Sequence, residues 1–176
     1  MRQSAGRMSV VVAPLVLLVG LAFAPQVADP CATTTTVPVS TTFALTCASG
    51  GSCAVGDIGP GGGIVFYDAG STQSWGRYLE AACAGWQNNC DGTTADPQVV
   101  WGCDESSISG ADGLAIGTGA KNTTDILAGC SDAGIAADRA DDYSNNTLND
   151  WFAPSKDELN QMYIQRTAIG DFSADY

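Results

Sequence analysis

The side chains best equipped for chemistry in this sequence are carboxylates, amides, tryptophans and thiols; histidine is absent. Without an imidazole there is no Ser-His-Asp or Cys-His nucleophile and no histidine metal ligand. The acidic residues are scattered over loops and single out no carboxylate pair for glycoside hydrolysis. No nucleophile–base set can be assembled, so the chain is expected not to be an enzyme. Oxygen donors do concentrate at one place: Asp138, Asp141, Asp142, Asn145, Asn146, Asn149 and Asp150 crowd together. Calcium takes about six to eight such ligands, which makes Asp138, Asp141, Asp142 and Asn145 candidate calcium ligands; no other cofactor is implied. The order does not match an EF-hand loop, and a solvated helix end followed by an Asx-rich turn explains the same residues. Asp91, Gly92 and Asp96 form a weaker oxygen-rich loop of the same kind.

Tryptophan stacks on sugars and recurs at binding hot spots, and the chain carries Trp75, Trp86, Trp101 and Trp151. Trp101 and Trp151 lie in apolar segments and are expected in the core. Trp86 sits in the polar loop CAGWQNNC between Cys83 and Cys90. It is the candidate ligand contact, because recognition residues are often aromatic and loop-borne. The cysteines are Cys31, Cys47, Cys53, Cys83, Cys90, Cys103 and Cys130. In an exported chain they favour disulfides. Sequence alone does not fix the pairing; Cys47–Cys53, Cys83–Cys90 and Cys103–Cys130 are candidate bridges, each contributing about 2–4 kcal/mol, with one cysteine left over. No C-x-x-C occurs, which disfavours zinc.

Export is read from the first residues. Arg2 and Arg7 form a positive n-region ahead of an uncharged, mostly apolar run from Ser9 to Phe23, of the length of a signal-peptide core. A membrane anchor needs roughly 20 apolar residues, and this run is broken by Pro14 and Gly20. Residues 1–28 are therefore expected to be a signal peptide, leaving a secreted or cell-surface product with no stable membrane insertion. Cys31 follows Asp29-Pro30 rather than the small residues of a lipoprotein signal. Residues 29–55 include ATTTTVPVSTTFALT, a Thr-rich linker that carries cysteines. The domain is expected over residues 56–176. Its net charge, −12 for the whole chain, deepens when the two leader arginines are removed. Such a surface repels nucleic acid and anionic lipid and suits solubility, cations or a basic partner.

The elements that must position these side chains are short. GDIGPGGG precedes a strand rather than a helix and lacks the Lys-Ser/Thr of a phosphate loop; a tight turn with close packing is expected instead. Residues 63–68 and 75–82 read as a β-hairpin, and QVVWGC, residues 98–103, as a further strand. Helical spacing begins near Thr124 with Ile126, Leu127 and Cys130, and a short helix follows over residues 133–143 with Ala136, Ala137 and Ala140 inward. Ser155 and Glu158 form an S-x-x-E capping box; Leu159, Met162 and Tyr163 then share one face, and Gly170 is the expected stop.

GDIGPGGGIVFYD, GRYLEAA, VVWGC, GTGAKNTTDIL and DWFAPSKDELNQMY, in this order, resemble the Lcl C-terminal domain family over about residues 56–172. The resemblance implies an α+β, C-type-lectin-like domain with short strands and two or three helices, related to the formylglycine-generating enzymes. Family members are commonly exported or surface proteins, and adhesion and binding of sulfated polysaccharides are described among them. The chain departs from the family pattern at Ala153, where leucine is usual, and near Asp138, where a cysteine is common. The family pattern also continues into further strands with a Trp-Ser-Ser signature, so the resemblance implies that the C-terminal strands are missing here. The late cysteines of the formylglycine-generating enzymes have no counterpart. The expected function is an exported binding or adhesion module for an extracellular glycan or protein. The alternatives are a structural surface domain that binds nothing and, third, an extracytoplasmic enzyme.

Overall fold

A computed structural model describes residues 45–86, 90, 95–104, 106–146 and 148–170. The expected signal peptide, most of the Thr-rich linker, Cys31, Asp91 and Gly92 lie outside the described residues. The fold mixes sheet and helix: strands β1 (Ile64–Gln73) and β2 (Gly76–Ala81) are followed by helices α1 (Gly119–Gly129), α2 (Ala136–Asp141), α3 (Lys156–Ile164) and α4 (Arg166–Ile169).

The β-branched and aromatic run at the start of β1 favours a pleated, half-buried surface, and the expected hairpin is present. Ile64 lies opposite Ala81 and Val65 opposite Glu80; the register then slips, so that Tyr67 meets Leu79 and Asp68 meets Tyr78. Phe66 is the extra residue of a bulge. Ile64, Phe66, Leu79 and Ala81 form one core with Phe152, Met162 and Ile169, while Val65 and Tyr78 form another with Cys47 and Cys53. Both faces of the hairpin are thus covered, which is why Ile64, Val65 and Phe66 are all buried. A bare two-stranded hairpin is marginal in water. Full burial of Phe66, Leu79 and Met162 contributes about 1.5–3 kcal/mol for each side chain.

The cover over Val65 corrects the expected domain boundary. Cys47 and Cys53 are bridged, the Cys53 N–H donates to the Tyr78 hydroxyl at 3.3 Å, and the Gly56 N–H donates to the Val65 carbonyl at 2.8 Å. The folded body therefore begins before Gly56. The other two expected bridges, Cys83–Cys90 and Cys103–Cys130, are also formed.

The capping box forms as read. The Ser155 N–H donates to Glu158 Oε2 at 2.6 Å and the Glu158 N–H to Ser155 Oγ at 3.3 Å. Glu158 also accepts the Gly117 N–H at 2.7 Å, which fastens the loop before α1 onto α3 and explains why a carboxylate is fully buried there. This geometry turns Glu158 and Met162, one helical turn apart, inward. The expected Leu159–Met162–Tyr163 face is split as a result: Leu159 and Tyr163 are 44% and 46% exposed. The helix begun at Ser155 ends at Ile164 rather than running on to Gly170, and that glycine, at φ 76°, ends the separate α4. Ala136, Ala137 and Ala140 are buried on α2, and α1 begins ahead of Thr124, at Gly119.

Residues 98–103 do not form a strand. Val100 and Trp101 are 67% and 60% exposed, and the Val100 carbonyl instead accepts the Ala136 N–H at 3.0 Å, at the start of α2. A β-branched run without a neighbouring edge has no ladder to join, and Trp101 is therefore at the surface rather than in the core.

Candidate functional site

Buried polar groups normally find hydrogen-bond partners. Among the described residues, the buried side-chain atoms without one are Trp86 Nε1, Tyr143 Oη, Asn145 Oδ1 and Nδ2, Asp150 Oδ1 and Trp151 Nε1. They converge on one region. The Trp86 and Tyr143 rings lie 5.3 Å apart and the Tyr143 and Trp151 rings 4.6 Å apart, tilted and edge-to-face. The three aromatics and Ala82 share one apolar cluster. Trp151 is buried at the inner end of this ladder, while Trp86 and Tyr143 are half-buried at its outer end.

The Gly59–Gly63 turn is the roof of the region. A Cβ at Gly61 would lie 3.3 Å from the Trp151 ring, and one at Gly62 only 2.8 Å from the Asn145 amide nitrogen and 2.7 Å from that of Asn146. The glycines thus serve close approach, as the sequence implied, and Gly62 also adopts φ 77°. Glu80 holds the turn from beneath: its carboxylate accepts the Gly61 N–H at 3.1 Å and the Gly63 N–H at 3.0 Å. Burial pushes the Glu80 carboxyl up to about 7, the two glycine amides oppose this, and the nearby Asp150 charge adds to it. Burial likewise raises Asp150, against its own backbone amide. Burial raises the Tyr143 phenol too; the adjacent Asn145 carboxamide counters in part, although neither group reaches ordinary hydrogen-bond geometry with the other.

No family model, curated protein or solved structure matches this chain. The site therefore has to be read from its own residues. Two of them are strained: Trp86 and Asn146 adopt φ 55° and 48°, a region that costs non-glycine residues about 1–3 kcal/mol and recurs at functional sites. Trp86 follows Gly85 at φ 71°, and the Gly85 N–H donates to Asp96 Oδ1 at 2.8 Å. Asp96, read from sequence as a member of an oxygen-rich loop, is thus what holds the Trp86 turn.

The candidate calcium ligands are divided between tasks. Asp138 accepts the Ile135 N–H at 3.0 Å and so caps α2. Asp141 and Asp142 are exposed at the end of that helix, whereas Asn145 is buried beneath Gly62. Among the described residues, the one group of three histidine, cysteine or acidic ligand atoms within 4.8 Å of one another is Cys103, Cys130 and Asp132, and both sulfurs are joined in a disulfide. Asp138, Asp141 and Asp142 are not brought together as a ligand set. Ser155 and Glu158 act as a helix cap.

Trp86 does belong to the region where polar atoms lack partners, half-buried rather than projecting. Glu80 and Tyr143 were not singled out by the sequence, Asp150 was read only as one of the crowded oxygen donors, and Trp151 only as a core residue. The available signal was a glutamate in the middle of the apolar strand GRYLEAA, a position that burial permits only when the carboxylate is paired or neutral. No helix among the described residues is long and apolar enough to cross a membrane.

Proposed function

We propose that the chain is an exported or cell-surface binding module with a C-type-lectin-like α+β domain of the Lcl C-terminal type, engaging an extracellular glycan or protein. The observation that carries this reading is the Trp86–Tyr143–Trp151 ladder with its set of buried hydrogen-bonding atoms lacking partners. Aromatic surface combined with a few convergent polar groups is the usual make-up of a ligand site. The three disulfides among the described residues suit an oxidising environment, and a net charge of −12 disfavours nucleic acid as a partner.

The test is binding of the oxidised full chain to immobilised glycans and to cell-surface proteins in parallel. Saturable binding to members of one set, reduced by Trp86→Ala at unchanged helix content, is expected. No saturable binding on either set refutes the reading in favour of a domain that only spaces or decorates the surface.

A further inference from the structure

Resting on that reading, we infer that the Trp86–Tyr143–Trp151 ladder is a subsite for an uncharged saccharide, which stacks on Trp86 and directs hydroxyls toward Asn145 and Asp150. The inventory of groups without partners selects this chemistry. The two indole N–H groups are donors only, Asp150 Oδ1 accepts, and the Asn145 amide and Tyr143 hydroxyl do both. An anion would satisfy the donors and leave the carboxylate unmatched; a cation would satisfy the carboxylate and leave the indoles unmatched. A sugar hydroxyl both donates and accepts, so a pair of adjacent hydroxyls complements the mixture.

The surrounding charge points the same way. Asp150 presents an unpaired carboxylate oxygen, and the chain carries a net charge of −12. Three of the cationic side chains are engaged elsewhere: Arg77 with Asp68, Lys121 with Asp125, and Arg166 against the Tyr163 ring. Arg139 and Lys156 remain exposed, but the net charge of −12 disfavours sulfated or carboxylated polysaccharides. Trp86 is the half-buried outer ring, packed on one side against the Ala136, Ala140 and Ala153 cluster, with its left-handed turn pinned by Asp96.

The experiment titrates the oxidised full chain with cellopentaose, mannopentaose, chitopentaose and heparin at physiological salt, following tryptophan fluorescence and heat. A saturable blue shift with at least one neutral oligosaccharide, and none with heparin, is expected. Tyr143→Phe keeps the ring and removes only the hydroxyl; it is expected to weaken that binding about threefold to tenfold, the size of one neutral hydrogen bond. Trp86→Leu is expected to weaken it tenfold or more, and Tyr143→Phe decides the matter where Trp86→Leu does not fold. Heparin binding in preference to every neutral sugar, an unchanged Kd in Tyr143→Phe, or no response to any neutral sugar overturns the inference. Should neutral sugars fail while a surface protein is still captured, the subsite falls and the binding module stands; should both fail, both fall.

Discussion

Glu80 makes stability depend on pH in an unusual direction. Its folded-state pKa lies at about 7 against an ordinary 4.5, so between those values the native protein retains a proton that the unfolded chain has released. The side chain is fully buried, and at 1.36 kcal/mol per unit the difference is about 3 kcal/mol. This stabilisation is complete below about pH 4.5, is lost as pH rises, and is gone above about pH 7. Asp150, also raised by burial, acts in the same sense. Glu80→Gln mimics the neutral acid at every pH. It leaves one glycine amide facing an NH2 group, a fixed cost of about 1–3 kcal/mol, but removes the slope. The assay is urea unfolding followed by tryptophan fluorescence from pH 4.5 to 8 with disulfides intact. The gap between variant and wild type should shift by about 3 kcal/mol in the variant's favour across that range. Parallel stability curves, or a variant that loses ground as pH rises, would falsify the assignment of Glu80 as a buried carboxyl poised near neutrality.

Other perturbations separate the remaining interactions. Ser155→Ala removes the acceptor for the Glu158 N–H and should cost about 0.5–2 kcal/mol in urea unfolding. Glu158→Ala should cost more than Ser155→Ala, because the buried Ser155 amide and the Gly117 amide both lose their acceptor. Cys103→Ser with Cys130→Ser opens a bridge of sequence separation 27, and by loop entropy should lower unfolding stability by about 3–4 kcal/mol. Gly119→Ala drives a methyl group into Phe152 and the Glu158 carboxylate; a loss of about 1–3 kcal/mol is expected, read as a lower melting temperature.

What could be read from the sequence was local. Ile64 to Tyr67 announced a strand because β-branched and aromatic neighbours leave few other options, and Ser155 with Glu158 announced a helix start because the cap is complete within four residues. The three bridges close over separations of 6, 7 and 27 residues, and their cysteines are sequential neighbours. What failed depended on distant partners. Val100 and Trp101 have strand-forming side chains but no strand to pair with, and Leu159 and Tyr163 lost the inward face to Glu158, whose carboxylate is drawn in by Gly117. The candidate site was half-visible for the same reason. Trp86 was read as a ligand contact and Asn145 as a calcium ligand, but the region they share depends on Tyr143, Trp151 and the Gly59–Gly63 turn, segments joined only by the fold. Asp138 looked like a ligand because a side-chain oxygen used to cap a helix has the same composition as one available to a metal.

The Cys47–Cys53 ring has a mechanical consequence. It is covalently closed, seated on Val65 and Tyr78, and it is where the chain passes from the Thr-rich stretch into the folded body. A pull from that side passes through the bridge from Cys47 to Cys53, so residues 48–52 cannot be drawn out.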